Sequence, residues 1–556
     1  MVQTYLQPLF VVNAPVDDSA EHGEVFTRPW VVSFILDLVG YTSDRDLASL
    51  RLVEPACGSG SFLEVIALRV SESCRKHDRD LISALDCVTA FDLLPRNVEA
   101  ARHRVESTLT KQGWEQPVAY RVAQAWVRQG DYLLDSALTP PADVVVGNPP
   151  YVRLEDVSDG RMALYRQACP TMIGRADLYI GFFETALRSL RPGGTLGFIC
   201  ADRWMRNQYG RELRNLVARD YAVDVTVSMH DVDAFENEVS AYPAVTVIRN
   251  GRQGPAVAAQ TTRDFAADSA RQLGNWIGNA SGQATTGRGF SAARLPHWFP
   301  GDDMWPAGSP GRLRLLEELA DRFVRLGDPA SQVRVGIGVA TGADRVFITR
   351  DESIVESARL LPLSMVRDTT SGTLRWSGSY LVNPWDENGT LVRLDDYPQL
   401  AAYLLKHRAA LADRHVGRRQ PTRWYRTIDK VDPHLTALPK LLFPDMKLTS
   451  QPVLDPGGHY PHHNLYFITS DAWDLRVLGG LLLSEVAEAF IDAYAVKMRG
   501  GTLRFQAQYL RRIRVPHIEA IAPDVRHALA AAFDRRDRGA ATEAALEAYG
   551  IDCLPS

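Results

Sequence analysis

The sequence predicts a doubly wound α/β sheet in the first half of the chain and a mixed α+β domain in the second. Three observations carry this. Short apolar runs alternate with amphipathic helical segments through the first 250 residues. One run, Asp143-Val-Val-Val-Gly147, is apolar after its first residue, as in a parallel strand buried on both faces. The rhythm then fails from Gly251 onward.

Taken in order, Leu50-Arg-Leu-Val-Glu54 reads as a strand, followed by a glycine-rich turn and a helix over Ser61–Val70. Cys87–Asp92 is a second strand, and Pro95–Leu109 a helix with its proline in the first turn. Val118–Val122 is expected as a third strand and Asp143–Gly147 as the next. Asp177–Arg191 reads as a helix stopped by Pro192-Gly-Gly194, and Thr195–Cys200, Val223–Val227 and Ala244–Arg249 complete the sheet. Crossovers between parallel neighbours should be right-handed. Residues 256–310, rich in Gly, Ala, Ser, Thr and Gln, read as a connecting segment between domains spanning 1–255 and 311–556. In the second domain a helix is expected near Arg312–Leu326, then irregular β-rich segments. Leu475–Val496 reads as one packed amphipathic helix, and Pro523–Tyr549 as one or two terminal helices.

Composition narrows the class. Of 556 residues, 46% are apolar and 23% charged, as in ordinary globular proteins. Apolar runs such as Trp30–Leu36 are broken within a few residues, far short of the roughly 20 that a bilayer span takes, so no membrane association is expected. No basic leader with an apolar core opens the chain, and six cysteines (57, 74, 87, 169, 200, 553) form no C-x-x-C pair. A zinc ribbon and a disulfide framework are thereby disfavoured, and a reducing cytoplasm suits the chain. The net charge of −5 conceals an asymmetry. Residues 1–250 carry 25 basic and 33 acidic side chains, whereas residues 251–556 carry 37 and 34. Lys406–Lys447 has 10 basic and 4 acidic residues, and Lys497–Arg514 has 6 basic and none acidic. Each run alone could be a solvated face; two in one half of an otherwise acidic chain fit a polyanion-binding surface.

Two constellations carry chemistry. In Glu54-Pro-Ala-Cys-Gly-Ser-Gly60 the glycines allow a sharp turn and close approach of backbone to a ligand, although such a loop can also be a plain tight turn. Asp92 ends the second strand, where a carboxylate can hold the two hydroxyls of a ribose. G-x-G-x-x-G is absent, which favours a nucleoside-like ligand without a pyrophosphate. The second constellation is Asn148-Pro-Pro-Tyr151, directly after the apolar strand. Asn148 offers a side-chain carbonyl and Pro149 a backbone carbonyl. Pro149 and Pro150 stiffen the turn and donate nothing, and Tyr151 presents a flat face. Two acceptors beside a stacking ring suit an exocyclic –NH2 on a planar amide or heterocycle.

With these motifs together, the sequence resembles class I S-adenosylmethionine-dependent DNA methyltransferases of the N6-adenine, gamma-ordered type found in restriction–modification systems. The resemblance implies a Rossmann-like methyltransferase sheet followed by a target-recognition domain. Gly23-Glu-Val-Phe-Thr-Arg-Pro29, with Phe26 and Thr27, resembles the N-terminal motif that closes over the methionine part of the cofactor. Glu54, Ala56, Gly58 and Gly60 correspond to the cofactor loop, Asp92 to the ribose-binding acid, and Gln129-Gly-Asp131 with Tyr132 to the motif that reads the cofactor's adenine. Asn148–Tyr151 resembles the catalytic tetrapeptide, with Asn148 also beside the cofactor, and Phe182 within Asp177–Phe182 the ring that lines the adenine pocket. Phe235 resembles the second aromatic against an extruded base, with Tyr242 as the alternative because of the apparent insertion Ser240–Pro243. Val335–Gly342 with Val346-Phe-Ile348 is similar to the start of the target-recognition domain, and Arg499–Phe505 leading to Tyr509–Pro516 is similar to its end.

The cofactor implied is S-adenosylmethionine and the partner double-stranded DNA. Arg418, Arg419, Arg423, Lys447, Arg499, Arg504, Arg511, Arg512 and Arg514 are the candidate DNA contacts. No metal is expected, because His462-His463 has no partner at ligand spacing. Cytosine C5 chemistry is disfavoured by the lack of a Pro-Cys nucleophile. Rival readings are RNA adenine methylation, glutamine methylation of release factors, and a non-catalytic specificity subunit. The first motif starts at residue 23, so any cleavage partner is expected to be a separately encoded restriction endonuclease.

Overall fold

Leu52–Glu54 (β1) is three residues long and buried throughout, and it is the third strand from one edge of a ten-stranded sheet. In the computed structural model of the chain, residues 25–136, 139–153, 156–236, 242–279, 282–495 and 503–555 are described. They form two compact units, Met1–Trp305 and Pro306–Ser556. Among the described residues no helix is long and apolar enough to cross a membrane.

In the first unit β1 is joined by Val88–Asp92 (β2), Val127–Gln129 (β3), Ala142–Gly147 (β4), Leu190–Ala201 (β5), Ala222–Ser228 (β6), Pro243–Arg249 (β7), Ala256–Thr261 (β8), Ala284–Gly287 (β9) and Phe290–Leu295 (β10). The spatial order is β3-β2-β1-β4-β5-β7-β6-β8-β10-β9. β3 to β5 run parallel through β1, β7 is antiparallel to both β5 and β6, and β10 is antiparallel to β8 and β9. The chain order reverses between β1 and β4. That is the switch point of a doubly wound sheet, where the strands' carboxyl ends leave a crevice for a ligand. Both candidate motifs leave the sheet there, Glu54 at the end of β1 and Asn148 just beyond β4.

The helices are Pro29–Leu38 (α1), Ser61–Lys76 (α2), Pro95–Lys111 (α3), Gln116–Trp126 (α4), Tyr132–Asp135 (α5), Asp159–Ala168 (α6), Tyr179–Ser189 (α7), Arg211–Asp220 (α8) and Ala267–Gly278 (α9). One buried cluster draws on α1 to α4, the central strands and the added strands β8 and β10.

Two readings of the sequence are corrected. Val118–Val122 lies inside α4, and the third strand is β3. Ala119, Val122, Ala123 and Trp126 are buried at helical spacing, and Trp126 donates to the Ala84 carbonyl (2.8 Å), so the two valines belong to a helix face. Residues 256–295 are no linker: β8 pairs in parallel with β6, and α9 with β9 and β10 extends the same unit. Alanines along β8 and β10 fill the space beneath α9, where small side chains are what fits. Polar-looking composition there reflects close packing.

The second unit is built from small sheets and paired helices. Arg334–Ile337, Leu465–Thr469, Lys440–Pro444 and Val453–Asp455 form one four-stranded sheet; Ile348–Thr349, Tyr380–Val382, Leu360–Ser364 and Tyr460–Pro461 form another. The helix read over Arg312–Leu326 spans Pro310–Arg322 and gives way to the strand Val324–Arg325. Leu475–Val496 is two helices, Leu475–Leu483 and Glu485–Tyr494, because Ser484 stops the first and caps the second through its hydroxyl to the Ala487 N–H (3.4 Å). Val496 lies outside the described residues. The terminal helices span Pro523–Arg535 and Arg538–Tyr549. Lys440 and Asp455, both fully buried, form an ion pair at 3.0 Å between neighbouring strands.

Candidate active site

The glycine loop turns as its composition demands. Gly58 (φ +51°) and Gly60 (φ +92°) both occupy the left-handed region, and a Cβ on Gly60 would sit 3.1 Å from Ala101 Cα of α3. The Gly60 N–H closes the turn on the Cys57 carbonyl (2.8 Å), and α2 starts at the next residue. Asp92 clamps this loop to β2. Its Oδ2 accepts the Gly58 N–H (2.9 Å), and its Oδ1 accepts the Leu94 N–H (2.9 Å) and the Asn97 amide (3.1 Å). Asn97 is an addition to the sequence reading. Its place in the first turn of α3, five residues after the acid, is the signal that could have found it.

A cavity of about 1190 Å³, counted out to its open mouth, runs along the switch point. Phe26, Thr27, Glu54, Ala56, Gly58, Asp92, Asp131, Tyr132, Asn148, Pro150 and Phe182 all line it. The two motifs, far apart in sequence, thus share one chamber. Glu54 is 1% exposed, and its Oε2 is buried without a hydrogen-bond partner among the described residues. Burial, and then the nearby Asp92 charge, raise its pKa well above the ordinary carboxylate value. At the other side Asp131 Oδ2 accepts the Tyr165 hydroxyl (2.7 Å), with Arg161 Nε at 3.7 Å, and burial raises its pKa despite both contacts. Tyr165 lies on α6, a segment with no sequence signature. Tyr132 and Phe182 stack at 5.8 Å between centroids, 26° from parallel, and make one wall aromatic.

Asn148 is held from the N-terminal side. Its Nδ2 donates to the Val25 carbonyl (3.0 Å) and the Thr27 hydroxyl (3.2 Å), while Oδ1 is buried without a partner among the described residues. The same segment crosses to Phe235: Thr27 and Phe235 form an antiparallel bridge, the Glu236 N–H donates to the Phe26 carbonyl (2.9 Å), and the Arg28 N–H to the Ala234 carbonyl (3.0 Å). Tyr151 meets Phe235 edge to face at 6.4 Å, and Phe235 is 6% exposed. Tyr242 is 43% exposed and packs on His230 at 5.0 Å, away from Tyr151's partner. Gly23 and Glu24 of the N-terminal motif and Ser240 and Ala241 of the insertion lie outside the described residues.

The candidate DNA contacts divide. Arg418, Arg419 and Arg423 are exposed, Arg418 pairing with exposed Asp413 at 2.7 Å; Lys447 is half-buried, and Arg499 lies outside the described residues. Others are committed within the unit. Arg504 pairs with Asp445, Arg511 donates to the Val335 carbonyl (2.7 Å), Arg514 to the Phe323 carbonyl (2.9 Å), and Arg512 covers the Tyr494 ring at 4.9 Å. A basic run in sequence is here partly a set of braces. His462 also acquires a partner that sequence spacing hid: Asp344 Oδ2 lies 3.3 Å from its Nε2. Burial, with the adjacent His463, lowers the His462 pKa. The pair joins the 338–344 loop to the 460–465 turn.

Comparison with known proteins places this geometry. The Eco57I restriction-modification methylase family matches residues 127–235. Type II methyltransferase M.XhoI of Xanthomonas vasicola is 41% identical over 539 residues, covering 96% of this chain and 98% of its own. M.PaeR7I of Pseudomonas aeruginosa is 42% identical over 534 residues, covering 95% and 92%. Among solved structures, the type IIL restriction-modification enzyme MmeI in complex with DNA shares the fold, with a TM-score of 0.55 at 11% identity over 95% of this chain and 74% of its own. The chain belongs to the type II DNA methyltransferases of restriction–modification systems.

Proposed function

We propose that the first unit transfers a methyl group from S-adenosylmethionine to N6 of an adenine rotated out of duplex DNA, and that the second unit reads the target sequence. The observation that carries this reading is the divided amide of Asn148: its nitrogen is committed to Val25 and Thr27, and among the described residues its buried oxygen has no partner. A buried acceptor left unmatched costs about 1–3 kcal/mol, and an exocyclic amine in the chamber supplies the missing donor.

The cavity also fits the methyl donor. Glu54, with an orphaned buried oxygen, and the Gly58–Gly60 turn would hold its amino-acid end; Asp92 its ribose; Asp131 and the Tyr132–Phe182 wall its adenine. Bound there, it supplies an electrophilic methyl carbon. The protein's own part is alignment. Extruding the target base costs a few kcal/mol of stacking and pairing, offset in part on Tyr151 and Phe235. Asn148 Oδ1 and the Pro149 carbonyl accept the two N6 hydrogens, which directs the nitrogen lone pair out of conjugation and toward the methyl carbon. The methyl carbon would pass to N6, and the electron pair of the broken C–S bond would stay on the cofactor's sulfur. The proton released from the alkylated nitrogen would pass to solvent water, and acceptors fixed beforehand need no reorganisation. A separately encoded restriction endonuclease is the partner this reading implies.

The test is Asn148→Ala, assayed for labelled-methyl transfer into DNA, RNA and protein and for S-adenosylmethionine affinity. Transfer into DNA adenine by the wild type, a loss of more than about 100-fold in the variant, and unchanged cofactor affinity are expected. Retained transfer would overturn the acceptor role, and preference for RNA or protein would overturn the substrate.

A further inference from the structure

Beside the catalytic turn, on the side away from the methyl-donor chamber, a second cavity of about 510 Å³ is lined by Arg153, Arg175, Asp177, Arg203, Asn207 and Tyr209, with Ala176. Three guanidiniums and one carboxylate meet there, in a unit whose first 250 residues carry 25 basic side chains against 33 acidic. All three arginines are exposed, and among the described residues Arg175 and Arg203 have no ion-pair partner. Like charges gathered on an otherwise acidic surface repel unless an anion joins them.

The backbone registers this pocket against the catalytic turn. The Leu178 N–H donates to the Val152 carbonyl (2.8 Å), and Arg153 forms an antiparallel bridge with Asp177. Val152 and Leu178 line the methyl-donor chamber, whereas their neighbours Arg153 and Asp177 line the charged pocket. The paired segment is therefore a wall with a different ligand environment on each face. By the same alternation Tyr151 shares its face with Arg153, two residues or about 6.6 Å further along an extended backbone. That separation suits a base on one residue and a phosphate of the same strand on the other. The single carboxylate is drawn aside: Asp177 Oδ2 accepts the Tyr209 hydroxyl (3.1 Å), which also meets the Tyr179 hydroxyl (2.7 Å) on α7.

We propose that this pocket binds a phosphodiester of the strand carrying the target base, fixing the backbone while the base is turned onto Tyr151. The inference rests on the methyltransferase reading above and assigns that site its backbone contact. Guanidinium forks match phosphate oxygens bidentately, which ammonium groups cannot.

The experiment uses the full chain, with Arg175→Gln and Arg203→Gln singly and together. A mixed-sequence 30-bp duplex is titrated across a salt series, and DNA KM is measured on a pool of unmethylated random-sequence duplexes. The expected result is a shallower dependence of log K on log salt, by about 0.9 for each phosphate no longer neutralised. A rise in DNA KM of about tenfold is also expected, with S-adenosylmethionine affinity and melting temperature unchanged. Arg→Lys at the same positions should restore the salt slope but only part of the KM, as charge without the fork predicts. An unchanged slope and KM in folded single variants of an active enzyme would overturn the phosphate site alone. A wild type that methylates no duplex would instead overturn the reading it rests on.

Discussion

The amide of Asn148 has its nitrogen committed to Val25 and Thr27, and among the described residues its buried oxygen has no hydrogen-bond partner. Glu54 is in a comparable position: a carboxylate pressed into the interior, its pKa raised by burial and by Asp92, with one oxygen unmatched. A cationic ligand group would restore its charge. Burial and Asp92 make the Glu54 carboxyl hold its proton to a higher pH than an ordinary carboxylate, and a cation placed beside it favours the proton's release. S-adenosylmethionine should therefore bind more tightly as pH rises through that raised pKa, and isothermal titration between pH 5 and 8 reads this directly. Glu54→Gln should flatten the profile and weaken binding about 10- to 100-fold, the worth of one buried charge-assisted hydrogen bond. The second base contact is equally open to a residue-level check. Phe235 lies against Tyr151, and Tyr242 against His230. Phe235→Ala should lower methylation about 5- to 150-fold through removal of a stacking surface worth about 1–3 kcal/mol, with Tyr242→Ala within about twofold of wild type.

At the scale of elements, close approach governs what a glycine does. Gly480, in the helix Leu475–Leu483, faces the helix Pro523–Arg535 so closely that a Cβ would stand 2.3 Å from the Leu529 carbonyl oxygen. Gly274 in α9 has open space around it. Alanine should act with opposite sign at the two sites, destabilising by about 1–3 kcal/mol at 480 through overpacking and stabilising by about 1 kcal/mol at 274 through helix propensity; chemical denaturation of each variant measures both. The same contrast explains what the sequence made legible. β1, β2 and β4 to β7 were legible because the buried inner strands of a sheet write short apolar runs between turn residues. α4 was not, because Val118 and Val122 are β-branched, and a spacing of four residues satisfies a helix face as well. The strands Ala256–Thr261 and Phe290–Leu295 were hidden by alanines, whose packing role is set by α9 above them. In the site, turn motifs with fixed backbone needs were visible, as was the Gly23–Pro29 segment whose Val25 carbonyl holds Asn148; Tyr165 and Arg161 reach it from a helix that carries no pattern.

Across the whole molecule, charge composition and charge availability diverge. Residues 251–556 hold 37 basic side chains, yet sequence proximity does not decide which can meet a polyanion. Arg511 and Arg514 spend their guanidiniums on the Val335 and Phe323 carbonyls, and Arg504 on Asp445. Those bonds join the strand Val324–Arg325 to Arg514–Val515 and the segment near residue 511 to Arg334–Ile337, so they brace the second unit. Arg418, Arg419 and Arg423 end short helical turns and are exposed; among the described residues their one ion pair is Arg418 with the solvent-facing Asp413, worth at most about 1 kcal/mol. Phosphate contacts from this unit should therefore come from residues 418–423. Neutralising all three to glutamine should flatten the salt dependence of duplex binding by about 0.9 for each phosphate released, and leave the melting temperature within a degree or two. Arg511→Gln and Arg514→Gln should do the reverse, lowering the melting temperature by several degrees through unsatisfied carbonyls worth about 1–3 kcal/mol each while the salt slope stays put. Salt-series fluorescence anisotropy beside calorimetry on one set of proteins separates the two outcomes. A shallower slope in the 511 and 514 variants would return those arginines to the DNA surface.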